Sequence, residues 1–272
     1  MDDILSEHMS PSHESYDPHY FEPLFAAEDR HFWFSARNDV ICSLINKKLS
    51  TPNGFQFLEV GCGTGNVLKA IEHRFPSIAL TGMDLFHEGL DYARLRVSCG
   101  LVQGDLAYPP FKSLFDMVGM FDVLEHIEDD RTVLMQIYNL IKPGGYLFVT
   151  VPADMNLWSY FDIASHHVRR YSLVELREKI TGAGFADEFS SAYIAATYPL
   201  VWLERRIKDI LSTNQADSIQ RQAEDDIKIY PVINELLRGI LTIEAGWLSK
   251  GRELPFGSSL VMMARKPVIS ER

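Results

Sequence analysis

The chain has 272 residues, of which 46% are hydrophobic and 23% charged, and its formal net charge is -11. That is the balance of a globular protein of one elaborated domain, and the acidic excess speaks against a general nucleic-acid binder, which carries a basic patch. No apolar run reaches the roughly 18 residues that span a bilayer, and the start Met1-Asp2-Asp3 has no apolar signal core.

Cys42, Cys62 and Cys99 are isolated, with no CxxC pair. An odd number without spacing pattern predicts reduced thiols, a cytoplasmic protein and no metal site. Residues 1–20 are polar and rich in His, Ser and Pro, so no regular structure is predicted there. Helical periodicity runs from Ala26 through Val40, Ile41, Leu44 and Ile45, until Thr51-Pro52-Asn53-Gly54 breaks it.

Strands and helices then alternate. Phe55–Val60 reads as a buried strand, Asn66–Arg74 as a helix, Ile78–Met83 as a strand and Gly89–Val97 as a helix. A short strand lies near Leu101-Val102, and Phe115–Phe121 is another apolar strand. Asp129–Ile141 is a predicted helix, and after Pro143-Gly144-Gly145 the strand Tyr146–Val151 follows. Ser172–Ala183 is a helix opened by Ser172, with Glu175 completing a capping box. The rhythm predicts an α/β, Rossmann-like doubly wound sheet with helices on both faces.

The last third departs from it. Phe185–Ala192 is a strand, Tyr198–Leu211 and Asp225–Leu248 are helical, and Ser258–Arg265 is a final strand. The expected division is an N-terminal arm and helical cap over 1–50, a core over 51–195 and 256–272, and a helical insertion over 196–255. That insertion reads as a lid, a substrate surface or a dimer surface.

Glu59-Val60-Gly61-Cys62-Gly63-Thr64-Gly65-Asn66 closes the first strand and opens a helix. Glycines there permit positive φ and close approach of a ligand to the backbone. The spacing is G-x-G-x-G, not the G-x-G-x-x-G of pyrophosphate sites, and Glu59 would repel a phosphate. A ligand carrying an ammonium and a sulfonium tolerates that carboxylate, and S-adenosylmethionine is such a ligand. Asp84 ends the second strand, where a carboxylate can accept both ribose hydroxyls, with Leu85 beside it. Gly104-Asp105-Leu106 ends the third strand, so Asp105 can accept from an adenine amino group while Leu106 packs near the ring.

The run Phe57–Gly65 resembles the first motif of class I methyltransferases. Asp84, Gly104-Asp105, Phe121-Asp122-Val123-Leu124-Glu125-His126-Ile127 and Leu140-Ile141-Lys142-Pro143-Gly144-Gly145 fall where that family places its later motifs. The resemblance covers about residues 55–151. It implies a seven-stranded, mostly parallel sheet with an antiparallel last strand. It also implies a cofactor floor of Phe121, Val123 and His126, and binding by Glu59, Gly61, Cys62, Gly63, Asn66 and Asp84.

The flanks resemble a bacterial subgroup acting on small molecules, with H-x-W-F-x-x-R and H-x-R-R-Y segments. In the first segment, Arg37 could pair with the cofactor carboxylate in two-point fashion and Trp33 could close over the sulfonium. In the second, His167, Arg169, Arg170 and Tyr171 match the pattern, close to Trp158, Tyr160 and Phe161. Trp158, Tyr160, Arg170 and Tyr171 are the expected acceptor contacts. His167 and His126 are the expected catalytic groups, since imidazole exchanges protons near neutrality. The adjacent His166 and His167 and the aspartate Asp162 suggest a metal, but neighbouring histidines point different ways and no third-ligand spacing is evident, so no metal is expected.

The expected activity is therefore in-line methyl transfer to O, N or, less readily, C of a small-molecule acceptor. Nucleic acid and stable membrane insertion are not expected, and the protein is a monomer or homodimer. A silent S-adenosylmethionine binder, a nicotinamide oxidoreductase and a membrane-surface protein using Tyr198–Leu203 beside Arg205 and Arg206 are the competing readings. The sequence names neither the acceptor nor the methylated atom.

Overall fold

A computed structural model describes residues 18–48, 54–211 and 228–268. Thr51-Pro52-Asn53, residues 1–17 and residues 225–227 lie outside the described residues.

The helices are α1 (Phe21–Glu28), α2 (Phe32–Lys48), α3 (Asn66–Arg74), α4 (His87–Ala93), α5 (Asp130–Leu140), α6 (Tyr160–Ala164), α7 (Leu173–Gly182), α8 (Tyr198–Leu211) and α9 (Pro231–Leu248). The strands are β1 (Gln56–Val60), β2 (Ala79–Asp84), β3 (Gly100–Gln103), β4 (Phe115–Phe121), β5 (Ile141–Pro152), β6 (Ala186–Tyr193) and β7 (Ser259–Arg265). They form one seven-stranded sheet in the order β3-β2-β1-β4-β5-β7-β6. β7 runs antiparallel to both its neighbours, wedged between β5 and β6.

Both faces of the sheet are covered, which is why β4 and β5 read as near-continuous apolar runs. Side chains alternate between two cores. Leu58, Val118, Met120, Val149 and Val151 pack with α5 and α7 on one face. Phe57, Met117, Phe148 and Tyr193 pack with Ile41 and Ile45 of α2 and with Leu241 and Leu248 of α9 on the other. Part of the late helical stretch thus closes the main core.

Several boundaries differ from expectation for identifiable reasons. The single N-terminal helix is two, because the Phe32 N–H donates to Asn234 Oδ1 (2.8 Å) and Asn234 Nδ2 donates to the Arg30 carbonyl (2.9 Å). A buried amide from α9 therefore satisfies the break. The last long helix starts at Pro231, where the missing N–H costs nothing at a first turn. β5 extends back through Pro143-Gly144-Gly145, with Gly144 at φ +81°. A Cβ on Gly145 would stand 2.7 Å from the Asp116 carbonyl, so only glycine lets the strands meet there. Ser172 caps α7 by accepting from the Glu175 N–H at 3.1 Å. A reciprocal capping box occurs at α6, where Ser159 N–H donates to Asp162 Oδ2 (2.9 Å) and Ser159 Oγ accepts from Phe161 N–H (3.3 Å).

Candidate functional site

The loop after β1 is built by backbone geometry. Gly61, Gly63 and Gly65 adopt φ of +68°, +49° and +76°, in the left-handed region that penalises side chains. The Gly61 and Cys62 N–H groups both donate to the Met83 carbonyl, at 2.8 and 3.0 Å. Asp84 fixes the loop from below: Oδ2 accepts from the Gly63 N–H (2.7 Å) and Oδ1 from the Phe86 N–H (2.9 Å). Burial raises the Asp84 pKa to about 6, against the lowering effect of those N–H donors. Phe21 of α1 is buried against Gly63 and Gly89, laying the first helix across the loop. Cys62 is buried and its thiol is held neutral by that burial, so it is a packing group.

At the neighbouring strand ends, the Leu85 carbonyl accepts from Gln103 Nε2 (3.0 Å) and Asp105 Oδ1 accepts from the Ala107 N–H (2.8 Å). Leu106 is buried in the first core. Phe121 stacks edge-on against Phe148, and Val123 lies directly under Gly61.

A buried polar cluster sits at the carboxyl edge on the α2 face. Arg37 Nη1 pairs with Asp122 Oδ2 (2.9 Å), and its Nη2 donates to Asn66 Oδ1 (3.3 Å). Asp122 holds a positive φ of +57°, an unusual state that turns it off the end of β4 toward α2. The Arg37 guanidinium also lies 5.2 Å from the half-buried Trp33 ring, so the cation over Trp33 here is Arg37. Glu59 points to the same face, and burial pushes its pKa well above the carboxylate range, with Arg37 opposing. Arg37 Nε and Glu59 Oε2 are buried with no hydrogen-bond partner among the described residues. An open donor beside an open acceptor suits a ligand with a carboxylate and an ammonium.

A second cluster lies past β4 and β5. His167 Nδ1 is 2.9 Å from Asp162 Oδ1, which also accepts from Arg170 Nε at 2.7 Å. Burial would raise the Asp162 pKa, yet the bonds from His167 and Arg170 hold it below the ordinary carboxylate range. His167 Nε2 lies 3.9 Å from Glu125 Oε1, and its ring meets that of His126 edge to face at 4.8 Å. Glu125 is fully buried, which raises its pKa well above the usual value, with nearby Asp122 adding to the effect.

The other expected acceptor contacts have structural partners. Arg170 Nη1 donates to the Ala153 carbonyl (3.0 Å), and the fully buried Tyr171 hydroxyl donates to Asp130 Oδ2 (2.8 Å). Tyr160 is buried in α6 and Trp158 is half-buried beside it. The structure therefore gathers His126 with His167, and Arg37 with Asn66. Asp122, Glu125 and Asp162 complete these clusters, and Phe21 covers the glycine loop, without having been singled out as site residues from sequence.

A seven-stranded sheet with an antiparallel strand before its edge, a glycine loop after β1 and acidic strand ends is the arrangement that the motif resemblance to class I S-adenosylmethionine-dependent methyltransferases implied. The methyltransferase-domain family is matched over residues 28–188, more than half of the chain, and the protein belongs to that family. Among curated relatives, the ubiquinone biosynthesis O-methyltransferase of Pectobacterium carotovorum subsp. carotovorum is 30% identical over 142 residues, 48% of this chain and 57% of that protein. The same-named protein of Psychrobacter arcticus is 30% identical over 158 residues, 50% of this chain and 60% of that protein. The chain thus spans about half the length of the curated relatives it matches.

Solved structures agree in fold. A methyltransferase of Haloferax volcanii, in complex with the Trm112 methyltransferase activator, has a TM-score of 0.59 at 19% identity, covering 94% of this chain and 96% of that one. Phosphoethanolamine N-methyltransferase 2 of Haemonchus contortus, solved with S-adenosyl-L-methionine, has a TM-score of 0.54 at 18% identity, covering 82% and 51%. The chain thus carries the methyltransferase domain of that family over residues 28–188. No helix among the described residues is long and apolar enough to cross a membrane.

Proposed function

We propose that the protein methylates an oxygen atom, or secondarily a nitrogen, of a small-molecule acceptor that docks beside His167. The observation that carries this reading is the Asp162–His167 pair, 2.9 Å apart at the carboxyl edge of the sheet. An imidazole whose Nδ1 proton is held by a carboxylate keeps its Nε2 free to take a proton. The O-methyltransferase names of the curated relatives support oxygen over nitrogen.

S-adenosylmethionine, when bound, supplies a methyl group already activated by the sulfonium charge. The chain's part is then to orient and to manage one proton. In this reading Gly61, Cys62, Gly63 and Asn66 border the methionine portion, Arg37, stacked on the Trp33 ring, receives its carboxylate end, and Asp84 accepts the ribose hydroxyls. Leu85, Asp105 and Leu106 flank the adenine, while Phe121, Val123 and His126 form the floor. Trp158 and Tyr160 flank the acceptor, and Arg170 with Tyr171 holds the loop that presents His167. The stretch 196–255 contributes the acceptor side: α8 is tied to the β5–α6 loop by Tyr198 to Asp154 and by Arg205 to the Leu157 carbonyl.

His167→Ala is expected to lower turnover by about 10²–10⁴-fold, the usual weight of a general base, with S-adenosylhomocysteine affinity little changed. Single-turnover kinetics beside calorimetry would check it, and unchanged turnover would remove His167 from the chemistry.

The raised pKa of Asp84 sets a second expectation. A carboxyl whose folded pKa lies above its unfolded value favours folding while protonated, and that contribution is lost as pH rises from about 4 to about 6. Hydroxyl acceptance needs the ionised form, so S-adenosylhomocysteine affinity should increase as pH climbs through this range, by up to about tenfold per pH unit below the pKa. Calorimetry across the range should show that slope in the native chain and a flat profile in Asp84→Asn. A flat native profile would remove Asp84 from ribose binding.

A further inference from the structure

We infer that Glu125, His126 and His167 form a binding site for one divalent transition-metal ion, with Asp162 as the outer carboxylate that orients His167. One ligand atom from each of the three lies within 4.8 Å of the others. Donors around a single ion at about 2.0–2.2 Å stand roughly 3–4.4 Å apart, so a small side-chain rotation brings the three onto one ion. The cluster is held by main chain: the Val168 N–H donates to the Glu125 carbonyl at 2.9 Å, which keeps the His167 segment against the turn bearing Glu125 and His126.

Two independent features point to a cation. Glu125 is fully buried, and neither carboxylate oxygen has a hydrogen-bond partner among the described residues. A buried carboxyl left so is costly, and a coordinated cation removes that cost. Secondly, His167 is preset as a ligand. Asp162 Oδ1 lies 2.9 Å from His167 Nδ1 and also receives the Arg170 Nε–H at 2.7 Å, so a proton on Nδ1 faces that carboxylate and the lone pair lies on Nε2. Nε2 is the atom 3.9 Å from Glu125 Oε1. A carboxylate behind a histidine ligand fixes both tautomer and ring angle in metal sites generally.

Two imidazoles and one carboxylate favour Zn²⁺, Co²⁺, Mn²⁺ or Fe²⁺ over Mg²⁺ and Ca²⁺. Three protein ligands leave coordination positions open for water or an acceptor oxygen. With an ion bound, His167 Nε2 is a ligand, and the ion lowers the pKa of a coordinated hydroxyl in its place. That role rests on the oxygen acceptor proposed above; the binding does not.

Titrating the chelator-treated full chain with CoCl₂, without acceptor or S-adenosylmethionine, tests the binding alone. We expect one Co²⁺ per chain, a visible absorption band from nitrogen and oxygen ligands, and displacement by Zn²⁺. His126→Ala and His167→Ala should each weaken Co²⁺ binding at least tenfold, and Asp162→Asn by about 10–100-fold. His126 is only half-buried, so its replacement leaves the core in place. Thermal unfolding is a second readout: Zn²⁺ should raise the midpoint of the native chain and not that of His126→Ala. Absence of saturable Co²⁺ binding in the native chain, or equal affinity in His126→Ala, overturns the site. The His167→Ala turnover assay run in chelator addresses the methyl-transfer reading separately.

Discussion

Asp130→Ala is expected to lower the stability of the chain by about 3–5 kcal/mol, the usual cost of removing one partner from a buried ion cluster. Asp130 opens α5 and is almost fully buried. Its Oδ2 accepts from Arg169 Nη1 (2.6 Å), from the Tyr171 hydroxyl (2.8 Å) and from Lys179 Nζ. Without the carboxylate, two cations and a fully buried hydroxyl lose their shared acceptor. The cost extends to the site, because Arg169 and Tyr171 anchor the segment that begins at His167. Urea unfolding should show the stability loss, and Asp130→Asn, which retains one acceptor oxygen, should lose less. A loss below about 1 kcal/mol would mean that water replaces the carboxylate, as it does at exposed pairs.

Gly61→Val should be comparably severe and should act on the cofactor as well. The residue sits at φ +68°, and any Cβ there would stand 2.5 Å from Val123 Cγ2. The left-handed conformation costs a side chain about 1–2 kcal/mol, and overpacking adds about 1–3 kcal/mol. The expected sum is about 2–5 kcal/mol of stability, with S-adenosylhomocysteine affinity reduced tenfold or more as the loop moves. The two contributions can be separated. Adding Val123→Ala to Gly61→Ala should recover the steric part and leave the backbone part. No recovery in the double variant, by denaturation and calorimetry, would assign the whole effect to the backbone.

What was legible from sequence was local. The glycine loop and the strand ends at Asp84 and Asp105 are carried by contiguous motifs, and β1, β2 and β4 by apolar runs with glycine or proline at their edges. The break between α1 and α2 was not legible, because Asn234 caps it from a position 202 residues beyond Phe32. Asp162 as the partner of His167 was hidden for another reason. Two adjacent histidines ordinarily diverge, but His166 adopts φ +55° and reverses the chain so that His167 folds back on α6. Arg37 is a third case. Its motif predicted a ligand contact, yet its pairing with Asp122 depends on a positive-φ aspartate that no residue pattern announces.

The wedged position of β7 bears on how the chain reaches this state. Tyr146 pairs with Arg265, and Ala186 pairs with that same residue from the other side. Until the last of the seven strands leaves the ribosome, β5 and β6 each present a bare edge toward an empty slot. Helices and the β1–β4 half can assemble early, but closure waits for a segment more than a hundred residues downstream of β5. The nascent protein therefore carries two adhesive sheet edges from the completion of β6 to that of β7, and its vulnerability to aggregation is concentrated in that interval.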